Sequence, residues 1–281
     1  MLRLRETLKL IRVVNCLLAM VGVAVGAYLT WLQPSYYGPA VASLAAFLIC
    51  AGGNIVNDLM DIEADHVNRP HRVLVRGALS RYEAIVLAVA VNMLALILAM
   101  AVNMLVAIVA VAVILLLLAY NIRLKRVPLV GNAVIAIMGG LTFLTGGLAV
   151  DHMLALTLPG PLIPAGFAFF FHIVREIIKD VQDMEGDRQV GIRTLPQVVG
   201  VRRSLSLALG LFVLLVLLTC LPILFGWYGN TYKIITVYII DLPLLLLLIF
   251  VWGNPTPTML RAASAGLKGG MALGIVALLL A

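Results

Sequence analysis

Nine apolar runs, each near the length needed to cross a bilayer, leave this chain little choice of fold. A hydrocarbon core of about 30 Å takes about 20 helical residues. The runs fall at 12–32, 38–57, 84–100, 104–120, 131–150, 162–178, 204–225, 234–251 and 267–280. The stretch 84–120 is too long for one crossing even with tilt, so it divides near Ala101-Val102-Asn103-Met104. Backbone groups in lipid must be paired within the protein, which restricts spanning structures to helices and closed barrels. No stretch alternates apolar and polar residues as barrel strands do. The expectation is an all-α, multi-span membrane bundle of about nine transmembrane helices around a central cavity. It is expected to form a single membrane domain over 1–281, with no linker separating soluble parts.

The net charge of +7 invites a nucleic-acid partner, but its distribution argues against one. Of the 20 Lys and Arg, only Lys233 falls on the far side of the membrane if all nine runs span. The others lie at the N-terminus or in the 58–83, 121–130, 175–203 and 252–268 segments. That asymmetry is the positive-inside pattern and puts the N-terminus in the cytoplasm, the C-terminus outside. Arg3, Arg5, Lys9 and Arg12 ahead of an apolar run also suit a signal peptide, but multi-span proteins begin in the same way. Cys16, Cys50 and Cys220 lie inside apolar runs without CxxC spacing, so they read as packing residues rather than a zinc site.

The carboxylates are the second strong signal. Of 13, Asp58, Asp61, Glu63 and Asp65 form one window and Glu176, Asp180, Asp183, Glu185 and Asp187 another. Both continue apolar runs on the cytoplasmic side. Clustered carboxylates at a membrane boundary repel one another unless cations pair with them. Asn57, Asp61 and Asp65 are spaced i, i+4, i+8 and drift only about 80° around a helix, so they share a face. Asp58 points about 100° away from Asn57. Asp180, Asp183 and Asp187, at i, i+3, i+7, also share a face, and Glu176 lies on nearly the same arc. Both windows are followed by basic segments. This is a weak internal echo, and two such units facing each other would form one cavity. A solvated helix end with pairs such as Glu176–Lys179 is the bland alternative, weakened by the recurrence of the cluster.

All-oxygen ligand sets suit hard cations, and Mg²⁺ where phosphate oxygens complete the shell. Arg69, Arg72 and Arg76 follow the first cluster, Lys179 sits within the second, and Arg123, Lys125 and Arg126 lie between. Mg²⁺ with converging Arg and Lys suits a polyanion such as diphosphate. Arg12 and Asn15, at i, i+3 near the start of the first run, are either an interfacial anchor or a diphosphate contact. Tyr120 is either an interfacial tyrosine or a substrate contact. Gly139-Gly140 and Gly146-Gly147 either let helices approach closely or leave room for a lipid tail. His172 reads as a packed interfacial histidine.

With those residues in view, the chain resembles the UbiA superfamily of intramembrane prenyltransferases. The resemblance rests on Asn57-x-x-x-Asp61-x-x-x-Asp65 and on Asp180, Asp183 and Asp187, and it covers nearly the whole chain. It implies that these six residues are catalytic and, with Asp58 added, ligate Mg²⁺. It also implies that Arg12, Asn15, Arg69, Arg72, Tyr120, Arg123, Lys125 and Lys179 bind substrate. The family's Tyr and Lys motif is met loosely: four residues after Tyr120 stands Leu124, flanked by Arg123 and Lys125. Ile11-Arg12 with Asn15-Cys16, Asn57-Asp58 through Asn68-Arg69-Pro70, Gly131-Asn132, Arg175 through Asp187 and Thr194-Leu195-Pro196 are similar to the branch that builds archaeal ether lipids. That branch implies transfer from geranylgeranyl diphosphate to the hydroxyl of geranylgeranylglyceryl phosphate in the cell membrane. Its implied partners are a prenyl diphosphate, a lipid acceptor and membrane lipids, with no nucleic acid. An aromatic quinone precursor or haem as acceptor is the first alternative. A divalent-cation transporter is the second, though its carboxylates should lie near the midplane.

Overall fold

The computed structural model describes residues 2–30, 36–189, 191 and 193–281. The last two residues of the first apolar run, Trp31 and Leu32, lie outside them. The described residues form helices α1 (Leu2–Ile11), α2 (Val13–Thr30), α3 (Tyr37–Met60), α4 (Ile62–Asn68), α5 (Arg81–Val102), α6 (Met104–Ile122) and α7 (Val130–Val150). They continue with α8 (Leu162–Gln189), α9 (Leu195–Val199), α10 (Val201–Leu224), α11 (Asn230–Lys233), α12 (Leu242–Gly253) and α13 (Pro257–Leu279). The stretch Ile234–Asp241 between α11 and α12 is wound as a π-helix. Among the described residues there is no strand, as the hydropathy pattern required.

Eight crossings are long and apolar enough to span a membrane among the described residues, against about nine expected. The ninth run lies in α8, a 28-residue helix whose C-terminal half carries the second acidic window, too polar to count as apolar. The expected break in 84–120 falls at Asn103. Its backbone is extended, its Oδ1 accepts from Val106 N at 2.9 Å to cap α6, and its Nδ2 donates to Leu148 O at 2.9 Å. At the start of α5, Ser80 and Glu83 form a reciprocal capping box.

The chain groups into two compact units. One comprises Met1–Leu124 and Thr142–Leu156, the other Lys125–Leu141 and Thr157–Ala281. In the first, α3 packs between α2 and α5 around Cys16, Ile55 and Ala88 toward one end and Val23, Ala45 and Ala99 toward the other. A Cβ on Gly26 would stand 1.9 Å from Phe143 O, and one on Gly146 2.0 Å from Val23 O, so α2 and the second half of α7 touch backbone to backbone. In the second unit α8 packs on α10 and α13 around Ile177, Phe212 and Leu267. The first half of α7 lies on α8, where Gly140 faces Ala165 O and Gly139 faces the ring of His172. Close approach is therefore what these glycines do, and His172 is packed, its Nδ1 2.8 Å from Ala168 O.

Candidate active site: two acidic helix ends

The first acidic window lies where α3 gives way to α4. Asp61 sits at the junction with φ −101° and ψ 8°, off the helical basin, yet the hydrogen-bond ladder continues through it. Asp61 N donates to Asn57 O at 3.0 Å, Asp65 N to Asp61 O at 2.7 Å, and Arg69 N to Asp65 O at 2.8 Å. Asn57, Asp61 and Asp65 consequently keep the shared face that their spacing implied, and Asn57 Nδ2 donates to the Asp61 carboxylate. Asp65 is buried, and burial, the largest influence, raises its carboxyl above the ordinary value. Arg72 and Arg69 oppose that rise, while the charges of Asp58 and Asp61 add to it.

Asp58 points elsewhere. It is 3% exposed, and its Oδ1 accepts from Arg12 Nη2 and Arg72 Nη1, each at 2.5 Å. Two guanidinium groups thus meet on one carboxylate oxygen. Arg12 itself occupies the left-handed region, φ 54°, at the kink between α1 and α2. Such a conformation in a non-glycine residue costs about 1–3 kcal/mol and persists only where the surroundings enforce it. Of the basic residues in this unit, Arg12 and Arg72 are brought together. Arg76 pairs instead with Glu6 of α1, which also accepts from Lys9. Asn15 stands exposed at the start of α2 and makes no side-chain hydrogen bond among the described residues. Tyr120 lies half-buried in the last turn of α6, and Arg123 follows the helix, exposed.

The second window lies on α8, which runs unbroken through it. Asp180 Oδ2 accepts from Asn132 Nδ2 of α7 at 2.8 Å. Burial pushes the Asp180 carboxyl up to about 7, against the lowering effect of that hydrogen bond, and the charge of Glu176 adds to the rise. Glu176 is buried and spoken for: Arg175 Nη1 donates to it at 2.7 Å, and Lys179 Nζ lies 3.5 Å away. The bland ion-pair reading therefore holds for Glu176 and Lys179, and not for Asp180. Asp183 and Asp187 are half-buried on the same helix, and Lys125 lies half-buried in the turn before α7. The Asn132–Asp180 pairing had no assignment in the sequence, where only a lone amide in the first turn of an apolar helix marked it.

Among the described residues no three acidic, His or Cys side chains are grouped so as to hold a metal ion alone. Mg²⁺ takes one or two carboxylates and completes its octahedron with water and substrate phosphate. Asp65 and Asp180, both carrying raised carboxyl values, are groups that a cation would relieve.

Known proteins share the family and the fold. A model of the UbiA prenyltransferase family matches residues 13–268. Digeranylgeranylglyceryl phosphate synthase of Natronomonas pharaonis is 38% identical over 235 residues, covering 84% of this chain and 83% of the relative. The synthase of Methanopyrus kandleri is 33% identical over 277 residues, 98% of each chain. A solved structure of a digeranylgeranylglyceryl phosphate synthase superposes with a TM-score of 0.79 at 31% identity, covering 99% of this chain and 98% of the other. A UbiA homolog from Archaeoglobus fulgidus, bound to DMAPP and Mg²⁺, shares the fold with a TM-score of 0.65 at 20% identity, covering 98% of this chain and all of the other.

Proposed function

This chain belongs to the UbiA prenyltransferase family, and from that premise we propose that it moves a geranylgeranyl group from geranylgeranyl diphosphate to the free hydroxyl of geranylgeranylglyceryl phosphate. The observation that carries the reading is the intact Asn57–Asp61–Asp65 ladder beside two clamped guanidinium groups: oxygen ligands for a hard cation next to donors for phosphate. Near-complete coverage by relatives that are digeranylgeranylglyceryl phosphate synthases supports the lipid acceptor.

Asn57, Asp61 and Asp65 of the α3–α4 junction and Asp180, Asp183 and Asp187 of α8 would hold Mg²⁺. Bound there, Mg²⁺ supplies Lewis-acid neutralisation of the diphosphate as the allylic C–O bond breaks. Arg12 and Arg72 hold phosphate oxygens with the donors that Asp58 leaves over, and Asp58 fixes where those donors point. Arg69, Arg123, Lys125 and Lys179 add positive charge for the anions of donor and acceptor. The negative charge that grows on the leaving diphosphate is met by groups already oriented, which is where electrostatic catalysis gains most. The acceptor oxygen then bonds to the prenyl C1, and the products are the ether, diphosphate and one proton. Apolar side chains of the crossings keep water from the allylic cation. The site faces the cytoplasm of the cell membrane.

The test is an acceptor screen with labelled geranylgeranyl diphosphate, with and without Mg²⁺, read by product mass. The expected product is digeranylgeranylglyceryl phosphate, formed only with the metal. Efficient prenylation of 4-hydroxybenzoate with none of geranylgeranylglyceryl phosphate would replace the lipid reading with a quinone-type one.

A further inference from the structure

Away from both acidic windows, the second unit buries a carboxylate within the membrane. Asp241 is 1% exposed and stands midway along the crossing Asn230–Gly253. A carboxylate at that depth is costly unless something positive reaches it. Among the described residues its hydrogen-bond partner is Thr219 of α10, whose Oγ1 lies 2.7 Å from Oδ2. Oδ1 is buried with no hydrogen-bond partner among the described residues. No Lys, Arg or His forms an ion pair with Asp241 among the described residues. The two cations of the adjacent α13, Arg261 and Lys268, are exposed, and the titratable groups nearby are Cys220 and Tyr232, with Tyr228 packed on Tyr232.

The π winding of Ile234–Asp241 places the carboxylate. With an i→i+5 repeat, Thr236 and Asp241 come round toward one face, whereas α-helical winding would turn them about 140° apart. Thr236 and Tyr228 are buried at 5% and 9% exposure; among the described residues the Tyr228 hydroxyl has no partner, and the Thr236 hydroxyl has only the Tyr232 side chain beside it, outside good hydrogen-bond geometry. Tyr228 packs edge-on against Tyr232, whose hydroxyl donates to Thr219 O at 3.1 Å. Polar atoms left unpaired in a buried cluster signal a missing partner.

We propose that Asp241, Thr219 and Thr236, backed by the Tyr228–Tyr232 pair, form a monovalent metal-cation site in the membrane interior, of the sodium class. Its donors are all oxygen, which selects a hard cation. Its single negative charge is cancelled by a monovalent ion, whereas a divalent ion would leave a net charge in the apolar interior. A proton alone serves less well. Thr219 Oγ1 has one hydrogen and two acceptors in reach, Val216 O at 2.8 Å and Asp241 Oδ2. A proton on Oδ2 satisfies that pair and still leaves Oδ1 and the Tyr228 hydroxyl unmatched among the described residues.

The test is thermal unfolding of the full chain in detergent, in NaCl, KCl or N-methylglucamine chloride at equal ionic strength, between pH 6 and 8. The wild type is expected to gain several degrees in Na⁺ or K⁺ over the bulky cation. Asp241→Asn should lose that gain and keep its Mg²⁺-dependent prenyl transfer, because it leaves the acidic windows intact. Thr236→Val, milder should Asp241→Asn fail to fold, should raise the half-saturating Na⁺ concentration several-fold. Equal midpoints in all three salts overturn the site, whether or not acid raises them; an acid-induced rise would identify a proton as the occupant. Unchanged half-saturation in Thr236→Val overturns it too.

Discussion

Asp58 holds two guanidinium groups on one oxygen, so its loss should be felt by phosphate and not by metal. Asp58→Asn leaves Arg12 and Arg72 without their shared anchor. Hydrogen bonds to charged groups contribute about 1.5–3 kcal/mol, which corresponds to a rise in substrate KM of about ten- to a hundredfold. The Mg²⁺ concentration for half-maximal rate should stay unchanged, and a Mg²⁺ titration beside donor and acceptor KM values separates the two outcomes. Asp61→Ala and Asp187→Ala should abolish turnover at millimolar Mg²⁺, while Glu83→Ala should retain it. Glu83 pairs with Arg3 and closes the α5 capping box, so its removal touches the start of α5 and not turnover. Near-normal rates in either Asp variant would remove that residue from the metal site. The Asn57, Asp61 and Asp65 face was legible in the sequence because the helical period alone fixes it. The engagement of Asp58 was not, because its partners stand 46 and 14 residues away and meet it only through tertiary packing.

The helices themselves were legible wherever hydropathy and a cap coincide. Asn103 breaks 84–120 in the expected place because an extended residue with a side-chain acceptor ends one helix and starts the next. The kink at Arg12 and the π segment at Ile234–Asp241 were not legible. Arg12 carries no Gly or Pro mark, and the π segment is marked only by Pro243 just after it, whose missing N–H takes a donor out of the helical ladder. The glycines of α7 were ambiguous between helix contact and lipid space, and the structure resolves Gly139, Gly140 and Gly146 as contacts. Gly26→Ala therefore tests the α2–α7 crossing. A methyl group 1.9 Å from Phe143 O must push the helices apart, and overpacking of this kind costs about 1–3 kcal/mol or more. The thermal midpoint in detergent should fall by several degrees. Gly166→Ala on α8, where a Cβ meets nothing within 4 Å, should not lower it. Equal behaviour of the two variants would mean that the crossing is not tight.

At the scale of the molecule, each compact unit carries one acidic window, and the charge distribution says where both should open. Eight apolar crossings and α8 account for the nine runs, so the orientation rests on the connecting segments. With 19 of 20 Lys and Arg assigned to one side by a nine-span count, moving that side outward would oppose the positive-inside bias throughout the chain. His71 follows the first window, Arg193 follows the second, and Lys233 begins the crossing that holds Asp241; all three are exposed. Single-cysteine variants at these positions, in a background lacking Cys16, Cys50 and Cys220, can be labelled in sealed inside-out and right-side-out vesicles with an impermeant maleimide. His71→Cys and Arg193→Cys should label only from the cytoplasmic face, and Lys233→Cys only from the other. Labelling of 71 and 233 from the same face would break the nine-span topology. Labelling of 71 and 193 from opposite faces would do more, because it would deny the two acidic windows a common aqueous side. A diphosphate could not then be served by both, and the carboxylates of α8 would need another role.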